Sequence, residues 1–336
     1  MDRPVMNPTF TSEETPKPKA KPRFVRLTRL LRVLSRLLLW TPFKRRVAFR
    51  NEEGSKLGRF VRGLTYRLAF VPVVLVCFVI ALVFGATHPG SVADTSDPMA
   101  SGVYYDPVNF PADDGAAVEG WLVPVLDARR VLEGKDLAVN KRYPAVVLVH
   151  DFAASRQQML PMVQPLHEAG FVVLAINLRG ASDGSRQAQT FGIKESLDIK
   201  AAVEMLRRRA YVDAAKIGLV GIGTGANAAL IATRNDPAIA AVVIAAPVDG
   251  FDQALANRIG SDQGWLPALR PMLRWTFQIM NGVDTEELEI ANFRNVMDTR
   301  HVLMTDGRAG LMHAGSMRGV ERFLQKHLTG ELASAK

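Results

Sequence analysis

Residues 212–226 read VDAAKIGLVGIGTGA, and the fold turns on how they are parsed. Ile217–Ile222 is a short apolar run of the kind that fills a strand buried on both faces. Glycine then recurs at Gly221, Gly223 and Gly225, and Thr224–Arg234 takes up a helical pattern. Glycine alternating through a strand-to-helix junction marks a turn where backbones approach closely and one residue takes dihedrals that a side chain resists. The same strand-then-helix rhythm continues on both sides. Candidate strands are Glu119–Val123, Ala145–His150, Val172–Leu178, Ala241–Ala246 and His301–Thr305, and further candidate helices are Glu195–Arg209 and Gly315–His327. That order argues for an α/β chain with a mostly parallel sheet and helices on both faces. No internal repeat of solenoid period is present.

Four segments in order carry a family likeness. Residues 110–124, FPADDGAAVEGWLVP, have the form of an opening hairpin, and residues 147–152, VLVHDF, of a strand running into a His-Gly-type loop. Residues 177–185, NLRGASDGS, are close to an Asp-x-Arg-Gly-x-Gly-x-Ser loop, and residues 212–226 match a strand that delivers a Gly-x-Ser-x-Gly elbow. Together they make the chain from about Val103 to Leu328 resemble the α/β-hydrolase fold, particularly its bacterial esterase, lipase and serine-peptidase-like members.

The resemblance implies a serine nucleophile at the apex of the elbow, and here that position is Gly223. Gly221 and Gly225 keep the close packing of strand and helix, and Gly223 accommodates the strained apex, so the turn survives without its hydroxyl. The N–H of Thr224 still points to the former oxyanion hole, at a helix start that suits an anion. The Thr224 hydroxyl lies one residue past the apex with no base assigned, so it reads as a helix cap. The acid is also displaced: Gly310 stands at the family's Asp position and Asp306 lies before the turn. Asp249 stands at an alternative acid position used by some members and fits better as a turn residue in Val248-Asp249-Gly250. His313 is the nearby histidine of the right order for a base; otherwise it is an exposed loop residue. His150 corresponds to a loop-supporting histidine, and Asp151 replaces the usual glycine, bringing a negative group to the oxyanion site.

The resemblance therefore implies a catalytically impaired pseudo-hydrolase with no intact catalytic set, Gly223, Asp249 and His313 being remnants. The alternative is an active esterase, lipase or amidase using non-standard residues. The binding residues expected are His150, Asp151, Phe152, Gly221, Gly223, Thr224 and Gly225, with no metal and no cofactor. Gly221–Ala226 also satisfies Gly-x-Gly-x-x-Ala, but a dinucleotide fingerprint belongs at the first strand–helix turn, and three strands precede this one. Residues 247–300 correspond to a lid rich in apolar groups such as Trp265, Trp275, Phe277 and Met280, above a pocket for a small-molecule or protein ligand.

The N-terminal third has another character. Residues 1–67 hold 17 Lys/Arg against 5 Asp/Glu, while the rest holds 25 against 28. A mildly acidic globular part offers no phosphate-binding surface, which argues against nucleic acid. Residues 1–23, with five prolines, read as a disordered basic arm. Residues 24–67 form a basic juxtamembrane region, in which Phe24–Trp40 sets Arg26, Arg29, Arg32 and Arg36 within about 120° of a helix, opposite Leu and Val, as on an anionic lipid surface. Leu68–Ala86 is 19 residues without a charge, a transmembrane signal-anchor by length. The basic side is expected in the cytoplasm and the C-terminal domain outside it. Residues 87–102 read as a linker and 103–330 as the hydrolase-like domain. One cysteine, Cys77, inside the apolar run, and no Asn-x-Ser/Thr acceptor beyond it point to a bacterial envelope.

Overall fold

Side chains alternate across a strand, and at the centre of this protein the alternation separates two apolar sets. In strand β3 (Tyr143–Val149), Ala145, Val147 and Val149 join one buried cluster, while Val146 and Leu148 join another. The computed structural model describes residues 56–125, 141–181, 187–260, 266–305, 307 and 314–330. The arm 1–23, the segment Phe24–Trp40, Trp265, Asp306, Gly310 and His313 lie outside the described residues.

The described residues form a seven-stranded sheet of order β1-β2-β4-β3-β5-β6-β7. Its strands are β1 (Asp106–Pro111), β2 (Ala117–Val123), β3, β4 (Val172–Asn177), β5 (Val212–Ile222), β6 (Ile239–Ala245) and β7 (His301–Thr305). The hairpin β1–β2 is antiparallel and β2 meets β4 antiparallel, while β4-β3-β5-β6-β7 are all parallel. All six strands expected from the sequence are present. The opening hairpin adds β1, and β5 starts earlier than its apolar run, at Val212.

Helices cover both faces, as expected. On the face of Val147 and Val149 lie α3 (Glu195–Arg207) and α4 (Thr224–Asn235), whose buried residues join that cluster. The other face carries α2 (Leu160–Glu168) and α8 (Ala314–Leu324). Helix α2 escapes the sequence pattern because Pro161 and Pro165 interrupt it; Pro161 is tolerated in the first turn. Between β6 and β7 stand α5 (Gly250–Ile259), α6 (Leu266–Asn281), two short 3-10 turns and α7 (Arg294–Thr299), so the lid is helical.

Helix α1 (Lys56–Thr87) contains the one stretch among the described residues, Gly63–Thr87, long and apolar enough to cross a membrane. The chain divides into two compact units, Met1–Val74 and Leu75–Lys336, and α1 runs through the boundary. Within the second unit, Val79, Val83 and Ala86 are buried in the core. The segment read as a linker is fastened down. Thr87 O accepts from Gln189 N at 2.8 Å, Asp94 pairs with Arg156 at 2.8 Å, and Thr95 N donates to Gln157 Oε1 at 2.7 Å.

One buried ion pair holds the loop after β4. The Arg179 guanidinium donates to Asp198 Oδ1 at 2.6 Å and to both oxygens of Asp114, and Arg179 N donates to Asp198 Oδ2 at 2.9 Å. Asp198 is fully buried on α3, so the network ties the loop, α3 and the hairpin together. Removing one member strands a buried charge, which typically costs about 3–5 kcal/mol. Arg179→Met is therefore expected to lower the stability of the chain by roughly that amount, read as a shift of the denaturant midpoint with unchanged slope.

Candidate functional site

The site is built at the carboxyl end of the central strands. Strand β5 ends at Ile222, Gly223 turns the chain, and Thr224 opens α4. Gly223 has φ 59° and ψ −119°, a conformation that side chains resist, and its N–H is held by Ala245 O at 2.9 Å. Closeness demands the flanking glycines: a Cβ on Gly225 would lie 2.3 Å from His150 O. The expected elbow is present in its backbone.

What fills it is Asp151. A Cβ on Gly223 would fall 1.9 Å from Asp151 Oδ1, so the carboxyl group of Asp151 occupies the space of a side chain at 223. Thr224 N donates to that same oxygen at 2.9 Å, and the Thr224 hydroxyl approaches it at 3.5 Å. The N–H expected to face the oxyanion hole thus already has its acceptor. Both Asp151 and Thr224 are buried. The expectation that the Thr224 hydroxyl caps α4 is corrected: Gly223 is the N-cap, without a side chain, and Asp151 supplies the anionic group at the helix start.

The loop bearing Asp151 is braced at each residue. His150 Nδ1 lies 2.7 Å from Asp151 O, and His150 Nε2 accepts from Leu178 N at 3.0 Å, which fixes the proton on Nδ1. Full burial pushes the His150 pKa down to about 4, and both contacts suit a neutral imidazole. His150 therefore supports the loop, as the sequence implied. Asp151 N donates to Gln158 Oε1 at 2.8 Å and Ala153 N to Gln189 Oε1 at 3.1 Å. Ala153, Phe191 and Ala246 hold positive φ around this end of the sheet, strain that the braces sustain.

Aromatic rings close the space beside the elbow. Phe152 stacks on Phe191 at 5.4 Å, and Phe191 stacks on Phe277 of α6 at 5.5 Å. Phe251 of α5 meets Phe277 at 4.8 Å, and the Arg258 guanidinium lies 4.2 Å from the Phe152 ring. Asn227 of α4 exchanges two hydrogen bonds with the backbone of Val248, tying the elbow helix to the lid's first residues.

The remnants fare differently. Asp249 is exposed, precedes α5, accepts from Ile290 N at 3.4 Å and lines a cleft of about 420 Å³ with Arg274, Glu289 and Arg294. It stands at the N-cap of α5 rather than in a turn, and no contact to the elbow is among its bonds. His313 lies outside the described residues. Among the described residues no group of three or more His, Cys, Asp or Glu is placed to hold a metal ion. The sequence reading missed Gln158, Gln189 and the phenylalanine cluster. For Gln189 and the rings the signal is tertiary, since they act on residues from other loops, while Gln158 acts within its own loop, seven residues from Asp151.

Comparison with known proteins agrees with the architecture. The profile of the Dienelactone hydrolase family matches residues 131–261. Polyketide transferase af380 of Aspergillus fumigatus is 30% identical over 148 residues, 43% of this chain and 46% of that protein. Polyketide transferase grgF of a Penicillium species is 26% identical over 144 residues, 42% and 44% of the two chains. The chain thus spans less than half the length of these curated relatives. Among solved structures, the esterase Pf2001 of Pyrococcus furiosus superposes with a TM-score of 0.51 at 20% identity, covering 71% of this chain and 99% of that one, which supports the fold.

The depressed pKa of His150 sets a pH dependence. Unfolding restores the ordinary value of 6.5, so the unfolded chain binds the proton more readily. The contribution is intact above pH 6.5 and is lost as pH falls towards about 4. Its full size is on the order of 3 kcal/mol. Denaturant titrations at pH 7 and pH 4.5 are expected to show stability falling in acid, and His150→Gln is expected to flatten that fall.

Proposed function

Starting from a chain that has the α/β-hydrolase fold and carries Gly223 at the nucleophile position, we propose that it is a pseudo-hydrolase acting as a membrane-anchored binding or scaffolding module. The observation that carries the reading is the Asp151 carboxyl group on Thr224 N, where a substrate's oxyanion would be received. An acyl-transfer site must stabilise developing negative charge there, and a carboxylate in that place opposes it. The triad works as a unit, so loss of its nucleophile alone removes covalent catalysis.

Anchoring is supported by the apolar length of α1 and by the concentration of Lys/Arg before it. In this reading Phe24–Trp40 lies on the lipid surface, the N-terminus is cytoplasmic and the hydrolase-like domain is outside, in a bacterial envelope. In this reading the ligand is a small molecule or protein segment received at the lid.

A second reading keeps catalysis with Asp151 as its centre, because its carboxyl group stands in the nucleophile's place. Labelling with a fluorophosphonate serine-hydrolase probe tests the first reading: wild type and Gly223→Ser are expected to remain unlabelled, and labelled wild-type chain would overturn it. Gly223→Ser drives its Cβ into Asp151, so it is expected to lose about 2–4 kcal/mol from overpacking and strain. Adding Asp151→Gly is expected to recover roughly 1–2 kcal/mol of that, as a coupled pair should. Thermal denaturation of both variants checks the coupling.

A further inference from the structure

The sheet has a second concave end. At the amino ends of β6 and β7, opposite the elbow, a cleft of about 340 Å³ is lined by Arg300, His301 and His327 together with residues 237–240. That volume lies at the small end of ligand sites, which run from roughly 300 to 1,000 Å³. Three elements bring the cationic groups there. Arg300 caps the end of α7, His301 opens β7, and His327 stands on the π-helical turn Gln325–Thr329 that continues α8. Such turns are rare and recur at functional sites. Leu324 and Leu328, buried on either side of His327 in sequence, fix the turn against Gly218 of β5, where a Cβ would meet Leu328 at 3.0 Å. His327 then stacks on His301 with ring centroids 3.9 Å apart, and Phe323 packs on it at 4.6 Å.

These groups are short of partners. Arg300 uses one N–H on Pro237 O, at 3.0 Å, and forms no ion pair among the described residues. Neither imidazole makes a hydrogen bond to them. No carboxylate among the described residues lines the cleft. Asp213 and Asp236, close to its walls in sequence, pair with Lys216 and Arg207, and Asp298 is exposed. Burial, then the charges of His301 and Lys326, hold the His327 pKa below its ordinary value, and no acid acts in the other direction. Two stacked imidazoles that both take a proton repel each other. An anion beside them and Arg300 removes that repulsion, and the guanidinium fork suits the oxygens of an oxyanion.

We infer that this cleft is a binding site for a small tetrahedral oxyanion of the sulfate or phosphate type, held by Arg300 and by the His301–His327 pair in its protonated form. Anion and protons bind together, so each tightens the other. The site stands apart from the elbow and does not depend on what is bound there.

Sulfate is the probe, because it keeps its charge between pH 5.5 and pH 8 and so reports the protein's protons alone. Calorimetric titration of the full chain in neutral detergent micelles, at constant ionic strength, is expected to show one saturable site at pH 5.5. At pH 8 the affinity is expected to be about tenfold weaker. His301→Gln, at an exposed position, is expected to weaken binding about fivefold at pH 5.5 and to flatten the pH dependence. Arg300→Gln is expected to weaken it at both pH values. The ring resonances of His327 give a readout that needs no variant: their titration midpoint is expected to rise when sulfate is added. Absence of saturable binding at pH 5.5, equal affinity at the two pH values, or equal affinity in wild type and both variants overturns the inference. A His327 midpoint that saturating sulfate leaves unmoved overturns it as well.

Discussion

The hydrogen bond from Thr224 N to Asp151 Oδ1 is the contact on which the rest of the site depends. The first N–H groups of a helix have no partner within it, and a buried one left alone costs about 1–3 kcal/mol. In a working elbow that N–H waits for substrate. Here a side chain reaches it from the loop after β3, 73 residues earlier. It reaches because residue 223 has no Cβ, whose place the carboxyl group takes. The missing side chain at 223 and the added one at 151 are therefore a single feature, and Asp151 excludes the return of a side chain at 223 alone.

The surroundings hold that carboxyl group in place. His150 locks the backbone on one side, Gln158 and Gln189 on the other, and the strained residues Ala153 and Phe191 remain because these contacts over-determine them. The phenylalanine cluster joins the same loop to lid helices α5 and α6. Substrate entry at the elbow would require displacement of a buried side chain and reorganisation of a packed aromatic wall, not merely restoration of a hydroxyl. The same wall connects the elbow to α6.

Much of this was legible in the sequence. The apolar runs at Ala145–His150, Val172–Leu178 and Ile217–Ile222 announced buried parallel strands because both faces of each are covered. Gly221, Gly223 and Gly225 announced the turn, and Asp151 was recognisable as a charge in the wrong place. What stayed hidden was spatial: that the group at 151 and the void at 223 coincide, and that Thr224 gives its N–H rather than its hydroxyl. Distance across loops has no period in a sequence. Helix α2 was obscured by Pro161 and Pro165, and the fastening of residues 87–102 by single polar contacts such as Asp94 with Arg156.

The central claim is that the chain's own carboxyl group closes the oxyanion position. The most direct test is the steady-state hydrolysis of a short-chain nitrophenyl ester by the purified full chain and by its Asp151→Asn variant. The account predicts that neither exceeds the buffer rate. Turnover by the wild type that disappears in Asp151→Asn would contradict it, and would make Asp151 the catalytic group.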